Sequence, residues 1–304
     1  MEAIRALDGK DKTVVVFDLD NTIYDFSLFF VPAFLSVIKI VQSEFSVSSA
    51  ECISSAQQIF DDHSSIEYEN VFHHLARSIG ASDAHGNHWT EQLAFNKARS
   101  IRAYTGVIDC LINLHKQGIL LVAYTNAPAV SAFRRLQTLG VEKLFSAMFA
   151  RDESEIYGTS SDVDSLSRHQ ILEFQKEIAD FYKFSHFFPN SQRKPNDEMM
   201  ARVLECLSDH NAIFVGDSMH SDLSLCQKFR AYSVWAKYGS DMDRGLREIM
   251  LRLSPKNHEV KQVENIIPNA TAECSEELQS TLEKLIREAN AFRMDCRPLL
   301  ARLG

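Results

Sequence analysis

Three short apolar runs in the sequence are each followed by polar residues that could do chemistry. The runs VVVF, ILLVAY and AIFV have the length of buried strands, and ligand sites in open parallel α/β sheets lie at the carboxyl ends of the strands. The polar side chains are therefore expected to converge on one crevice. They are Asp18 and Asp20 after the first run, Thr125 and Asn126 after the second, and Asp217 with Asp222 after the third, joined by Lys194 from a loop before a predicted helix.

The four aspartates of this set would repel one another if they were gathered without a counter-charge. Two unit charges about 4 Å apart repel by about 4 kcal/mol at an effective dielectric constant of about 20. A divalent cation offsets that repulsion, and oxygen ligands that leave positions open for water and phosphate suit Mg²⁺. Lys194 and the Thr125 hydroxyl can then bind phosphate oxygens, together with backbone N–H groups where a predicted helix begins near Pro128. The residues therefore predict a magnesium-assisted reaction of a phosphate group.

The motifs DLDNT, T-N, K-P and GDS-x-x-x-D occur in an order that resembles the haloacid dehalogenase superfamily, in its phosphatase branch with a helical cap. The resemblance covers residues 12–24 and 104–236. It implies that Asp18 is the nucleophile and that Asp20 is the general acid and base. It implies also that phosphate is bound by Thr125, Asn126 and Lys194, and Mg²⁺ by Asp18, Asp20, Asp217 and Asp222, unless Asp222 serves only to orient Lys194.

The implied function is a Mg²⁺-dependent phosphatase that hydrolyses a small-molecule phosphate monoester through an aspartyl phosphate. Asp20 bears on the reaction type, because a leaving alkoxide needs a proton whereas the halide of a dehalogenase does not. A phosphomutase or a nucleotidase would use the same residues, and a non-catalytic phosphate-binding sensor is the alternative outside the enzymes. The string FDLDNTIYD resembles some pyrimidine nucleotidases, but the motifs do not select one phosphate ester.

Several of these residues also have a purely structural interpretation. Thr125 could cap a helix, Asp222 could simply begin one, and Arg193 could take the place of Lys194. Five histidines in the helical region could suggest zinc, but hydrogen-bonded or solvated histidines explain them better. Four phenylalanines at helical spacing are better explained as helix core than as a stacking surface for substrate; they are Phe26, Phe29, Phe30 and Phe34.

Periodicity places the candidate residues in an α/β fold. A strand at 13–17 precedes a helical block, with candidate helices at 26–44, 49–62, 66–79 and 89–103. Strands and helices then alternate, which is typical of a parallel sheet with crossover helices. The predicted fold is therefore a Rossmann-like parallel sheet core with an inserted α-helical cap. The predicted domains are an α/β catalytic core at 1–24 and 105–240, a helical cap at 25–104 and a helical C-terminal extension at 241–304.

The interval between the second and third motifs is longer than the resemblance implies. It contains an acidic stretch at 152–164, which we interpret as a solvated loop or a flexible insert, and a predicted helix at 165–181. Residues 151–188 are therefore predicted to form an insert without an assigned role.

Composition limits the partners and the compartment. With 32 basic and 41 acidic residues the net charge is −9, and without a basic arm nucleic acid is not an expected partner. Six cysteines without a C-x-x-C pair indicate reduced thiols, and the start of the chain does not have the pattern of a signal peptide. The apolar segment 28–41 is shorter than the roughly 20 residues that span a bilayer. We therefore expect a cytoplasmic monomer or homodimer, without membrane contact, that acts on a small-molecule phosphate ester.

Overall fold

The computed structural model describes residues 13–68, 70–152, 154, 162–207, 210–254 and 266–292. Within these ranges the chain forms two compact units. The first unit comprises residues 13–24, 103–241 and 266–292, and the second comprises residues 25–102 and 242–254.

The first unit is built on a parallel sheet of seven strands in the order β4-β3-β2-β1-β5-β6-β7. Because every residue of the central strand β1 is apolar or β-branched, it can be buried on both faces, as the middle of a parallel sheet requires. In register, Val16 of β1 lies opposite Val122 of β2 and Phe214 of β5. The strands are β1 (Thr13–Phe17), β2 (Leu120–Pro128), β3 (Phe145–Arg151), β4 (Phe184–Phe188), β5 (Asn211–Gly216), β6 (Tyr232–Ala236) and β7 (Ala270–Ala272).

Eleven α-helices lie among the described residues. Helices α5 to α9 and α11 belong to the first unit, and α1 to α4 and α10 belong to the second. In chain order they are α1 (Phe26–Glu44), α2 (Ser49–Asp62), α3 (Val71–Ser78), α4 (Asp83–Ser100), α5 (Val107–Lys116), α6 (Ala129–Leu139), α7 (Asp162–Phe181), α8 (Asp197–Cys206), α9 (Ser224–Phe229), α10 (Arg244–Leu253) and α11 (Leu278–Phe292).

The interior of the second unit is aromatic. Phe30 and Phe34, one turn apart on α1, stack with ring centroids 5.7 Å apart. Phe60 of α2 and Phe72 of α3 pack against Phe34 at 6.2 and 5.6 Å. All four predicted core phenylalanines of α1 are buried, which confirms that the helical spacing marked an interior face. By length and composition α1 alone among the described helices could cross a membrane, but 56% of its apolar window is buried, as in the core helices of soluble proteins.

Helix α4 begins six residues earlier than its sequence pattern predicts, at Asp83 instead of residue 89. The sequence pattern leaves the polar segment between 79 and 89 outside both predicted helices, but tertiary packing makes its second half helical. A Cβ atom on Gly86 would lie 2.9 Å from the Cα atom of His73, so the glycine lets α4 approach α3 closely. His73 Nε2 and Asn87 Oδ1 lie 2.6 Å apart and add a polar contact between the same two helices.

The segment 151–188 is part of the sheet, and its prediction as an insert is wrong. It contains α7 and then β4, which pairs in parallel with β3 and extends the sheet at one edge. Unlike the central strands β1, β2 and β5, the run FSHFF has no β-branched residue, so its strand character depends on pairing with β3. Of the predicted acidic loop, residues 153 and 155–161 lie outside the described residues.

The C-terminal region is also more than a helical extension. Strand β7 pairs with β6 and joins the sheet, whereas α10 packs against α1 and α2 in the second unit. Helix α11 returns to the first unit, where Asn211 Nδ2 donates to the Ala289 carbonyl at 3.2 Å. Strand β7 has only three residues, too few for a periodic signal. Residues 255–265 and 293–304 of the predicted extension lie outside the described residues.

Candidate active site

Asp18 lies where β1 ends. Its backbone N–H donates to the Val215 carbonyl at 2.9 Å, which continues the pairing of β1 with β5 by one residue and buries the side chain. The chain then turns at Asn21, whose φ of 57° is a left-handed conformation that asparagine tolerates better than most residues. The turn leaves the Thr22 hydroxyl 3.5 Å from Asp18 Oδ2. The strand and the turn together hold the Asp18 carboxylate at the sheet's carboxyl edge.

Lys194 contacts that carboxylate directly. Its buried ammonium donates to Asp18 Oδ1 at 2.6 Å, to Asp222 Oδ1 at 2.5 Å and to the Tyr124 carbonyl at 3.0 Å. The backbone N–H of Lys194 donates to Asn126 Oδ1 at 2.8 Å, so the end of β2 fixes the loop that carries the lysine. All three ammonium hydrogens therefore have acceptors, which a buried lysine requires.

Asp18, Asp217 and Asp222 form the carboxylate cluster of the site. One ligand oxygen from each lies within 4.8 Å of the others, and no other such group occurs among the residues that the structure describes. Gly216 makes this possible, because a Cβ atom there would lie 2.4 Å from the Asp222 Cβ. Asp222 Oδ2 also accepts the Ser218 N–H at 3.0 Å, so both oxygens of Asp222 already have donors.

The cluster carries more negative charge than Lys194 can neutralise. Burial, the largest effect, raises the pKa of Asp18 to about 8; Lys194 opposes this shift, and the Asp222 and Asp20 carboxylates add to it. Burial and the same kind of carboxylate repulsion raise the pKa of Asp217 well above its usual range. Burial alone would lower the pKa of Lys194, but Asp18 and Asp222 hold that pKa above its ordinary value. An oxygen-only donor set with surplus negative charge fits Mg²⁺.

Asp20 lies outside this cluster. Its Oδ1 accepts hydrogen bonds from Tyr24 Oη at 2.5 Å and from Arg135 Nη1 at 2.8 Å. The side chain remains one quarter exposed, in contrast to the buried Asp18. The structure therefore brings together three of the four aspartates predicted to bind metal and gives Asp20 its own partners.

The predicted phosphate-binding residues lie at the end of β2. The register between β2 and β3 shifts between Tyr124 and Pro128, so Thr125 and Asn126 leave the regular ladder. Thr125 is buried, and its Oγ1 accepts the Ala127 N–H at 3.0 Å, which leaves the hydroxyl hydrogen available to a ligand. The two residues therefore lie at the same sheet edge as Asp18.

A protein-family model described as haloacid dehalogenase-like hydrolase matches residues 15–157, a range that includes Asp18, Asp20, Thr125 and Asn126. This match supports the assignment of the chain to the haloacid dehalogenase superfamily. No curated protein matches it. The predicted superfamily and the prediction of a hydrolase are thus confirmed, and the parallel sheet confirms the predicted α/β fold class.

Solved structures of low sequence identity share this fold. One is YfnB from Bacillus subtilis, described as a HAD-hydrolase bound to magnesium, with 19% identity, a TM-score of 0.51 and coverage of 90% of this chain and 100% of YfnB. Another is 2-haloacid dehalogenase from Pseudomonas syringae pv. Tomato DC3000, with 16% identity, a TM-score of 0.51 and coverage of 90% and 99%. A third is a HAD phosphatase from Thermococcus onnurineus, with 16% identity, a TM-score of 0.51 and coverage of 89% and 97%.

Sequence reasoning missed two groups of residues in this hydrolase. Arg135 and Tyr24, the donors to Asp20, were passed over, although a buried arginine on the apolar face of α6 is a signal that helical periodicity could have shown. The loop after β6 was also missed. Tyr238 Oη donates to the Thr22 carbonyl at 2.8 Å, and a Cβ atom on Gly239 would lie 1.7 Å from the Asn21 carbonyl oxygen. This loop therefore supports the turn that follows Asp18.

Proposed function

We propose that this hydrolase is a Mg²⁺-dependent phosphatase that cleaves a small-molecule phosphate monoester through an aspartyl phosphate on Asp18. The observation that carries the proposal is Asp20, a second carboxylate two residues after Asp18, which has its own donors outside the carboxylate cluster. A leaving alkoxide needs a proton from such a group, whereas a leaving halide does not. Asp20 therefore favours phosphate esters over haloacids as substrates.

In the first step, an oxygen of Asp18 attacks phosphorus while the bond between phosphorus and the ester oxygen breaks. Asp20 gives its proton to the departing oxygen, so an alcohol leaves and an aspartyl phosphate remains. Thr125 and the Asn126 side chain lie at the same sheet edge and are proposed to bind phosphate oxygens, with Lys194 beside the attacked group. Lys194 also fixes the orientation of the nucleophile.

In the second step, Asp20 takes a proton from water, and the water oxygen attacks phosphorus. The bond from phosphorus to Asp18 breaks, which releases inorganic phosphate and restores the Asp18 carboxylate. Asp20 is then protonated again and ready for the next ester. General acid and base catalysis of this kind contributes typically about 10²- to 10⁴-fold to a rate.

Asp18 and Asp217 are the residues that we propose to hold Mg²⁺, which, when bound, would neutralise negative charge on the phosphoryl group. Asp222 has a donor on each oxygen, Lys194 and the Ser218 N–H, so we assign to it the orientation of Lys194. Asp20, with Tyr24 and Arg135 as donors, is assigned the proton transfers alone.

The domain roles and the compartment belong to the same proposal. We assign catalysis to the first unit because all the residues above lie in it, and the role of a cap to the helices of residues 25–104. The five described cysteines form no disulfide, which fits a cytoplasmic enzyme. A small-molecule ester as the partner, and a monomer or homodimer as the assembly, complete the proposal.

The test is a panel of sugar phosphates, nucleotides and other phosphate esters, with 2-chloropropionate included, assayed with Mg²⁺ and with a chelator. The expected result is release of inorganic phosphate from at least one ester, with no activity in chelator. Chloride release without phosphate release would make the chain a dehalogenase. Isomerisation of a sugar phosphate without hydrolysis would make it a phosphomutase.

A further inference from the structure

Two buried side chains that have no part in the steps so far described contact the proposed acid and base. Arg135 Nη1 and Tyr24 Oη both donate to Oδ1 of Asp20, at 2.8 and 2.5 Å. Arg135 Nη1 also lies 3.1 Å from Tyr24 Oη, so the three groups form a closed triangle. The Arg135 side chain is only 4% exposed, and Tyr24 is fully buried.

The hydrogen bonds of this triangle involve only one of the two oxygens of Asp20. Oδ1 accepts both hydrogen bonds, whereas Oδ2 accepts none from the part of the chain that the structure describes. Since a carboxylate held at one oxygen by two donors cannot rotate freely, Oδ2 is left as the oxygen that exchanges protons. We infer that Arg135 and Tyr24 are positioning residues that fix Asp20 so that Oδ2 gives the proton to the leaving oxygen and takes it from water.

Charge supports the same assignment. When Asp20 has given up its proton, the Arg135 guanidinium stabilises the carboxylate that remains, through a charge-assisted hydrogen bond. Burial, which outweighs the opposing effect of Arg135, raises the pKa of the Tyr24 phenol well above its usual range, so Tyr24 stays protonated as a donor. Arg135 donates to the Tyr24 oxygen and thereby leaves the phenolic hydrogen for Asp20.

Arg135 also has a matched control beside it. Arg134 is the preceding residue of α6, but it is exposed, and its guanidinium lies 5.3 Å from the centre of the Phe174 ring. Replacing either arginine removes one positive charge from the same turn of the same helix. Only the replacement of Arg135 removes a donor to Asp20.

The test compares phenyl phosphate with 4-nitrophenyl phosphate, which have nearly the same shape but differ in how much the leaving oxygen needs a proton. In Arg135→Met and Tyr24→Phe, kcat/KM for phenyl phosphate is expected to fall by about 10- to 100-fold, part of the effect of a general acid. For 4-nitrophenyl phosphate the fall is expected to be at least about 5-fold smaller, because nitrophenolate leaves without a proton. Arg135→Lys should recover part of the loss, and Arg134→Met should leave kcat/KM unchanged for both substrates.

The role rests on the proposed phosphatase function, and the outcomes separate the two. Equal losses on both esters in Tyr24→Phe would overturn the positioning role while the phosphatase stands. A wild-type protein that releases phosphate from no ester of the panel, these two included, with or without Mg²⁺, would overturn both. Should Arg135→Met fail to fold, Tyr24→Phe decides alone, because it removes a single oxygen atom.

Discussion

The two buried clusters of this protein differ in composition, since one consists of charged groups and the other of aromatic rings. At the ends of β1 and β5 the buried groups are charged, with Lys194 between Asp18 and Asp222. In the second unit the buried groups are rings, with Phe34 packed against Phe60 and Phe72. Burying charges costs free energy even when they are paired, whereas burying rings stabilises a fold. The charged cluster is therefore explained by chemistry and the aromatic cluster by stability.

The largest effect that this comparison predicts is on turnover. Asp18→Asn removes the nucleophile but keeps the size of the side chain, so kcat should fall by at least about 10⁴-fold, the scale of loss when a nucleophile is deleted. Thermal unfolding should remain cooperative. The assay uses the best ester of the panel. If kcat of Asp18→Asn were within about 10-fold of the wild-type value, the charged cluster would not be explained by chemistry.

Removing the ammonium should show that the charged cluster depends on its pairing. Lys194→Met removes the buried ammonium that donates to Asp18 and Asp222 and should lower the free energy of unfolding by about 3–5 kcal/mol. Lys228→Met is the matched control, because its pair with Asp197 is half-exposed and should contribute at most about 1 kcal/mol. Urea unfolding of both variants without Mg²⁺ measures the difference. Equal losses would mean that Lys194 is not held as the structure describes.

The aromatic cluster should respond in stability alone. Phe34→Ala removes a fully buried ring and should cost about 3–5 kcal/mol, whereas Phe95→Ala, at an exposed ring, should change stability by less than about 0.5 kcal/mol. The Mg²⁺ concentration for half-maximal activity should stay the same in both. If folded Phe34→Ala, assayed below its unfolding temperature, needed a different Mg²⁺ concentration for half-maximal activity, the division between chemistry and stability would be wrong.

Metal affinity is the next effect in size. Asp217→Asn replaces a ligand carboxylate by an amide, so the Mg²⁺ concentration for half-maximal activity should rise by about 10- to 100-fold or more. Activity on every ester should be affected alike. Magnesium titrations of wild type and variant measure the shift, and an unchanged midpoint would remove Asp217 from the metal site.

The charged cluster should also make the stability of the metal-free protein depend on pH. Burial raises the pKa of Asp18 from its ordinary value of 3.8 to about 8, so between these two pH values the folded state keeps a proton that the unfolded state has released. The free energy of unfolding should therefore fall as pH rises from about 4 to about 8. Urea unfolding in chelator should show a weaker fall in Asp18→Asn. Identical pH profiles would show that Asp18 does not hold the extra proton in the folded state.

The site and the fold were predictable where the signal was local. Asp18, Thr125 and Asp217 each follow an apolar strand, and parallel strands bring their carboxyl ends to one edge. The donors to Asp20 were not predictable in this way, because Arg135 lies 115 residues further along the chain. Strand β4 depends on its partner and β7 is too short for a pattern, so neither has a signal of its own.

The central claim is that Asp18 carries the phosphoryl group, and trapping that intermediate tests it most directly. The wild-type enzyme is mixed with a ³²P-labelled ester and Mg²⁺, quenched in acid during turnover, digested and mapped. The account predicts label on the peptide that contains Asp18, absent in Asp18→Asn and in chelator. Label on any other residue, or turnover that persists in Asp18→Asn, would contradict it.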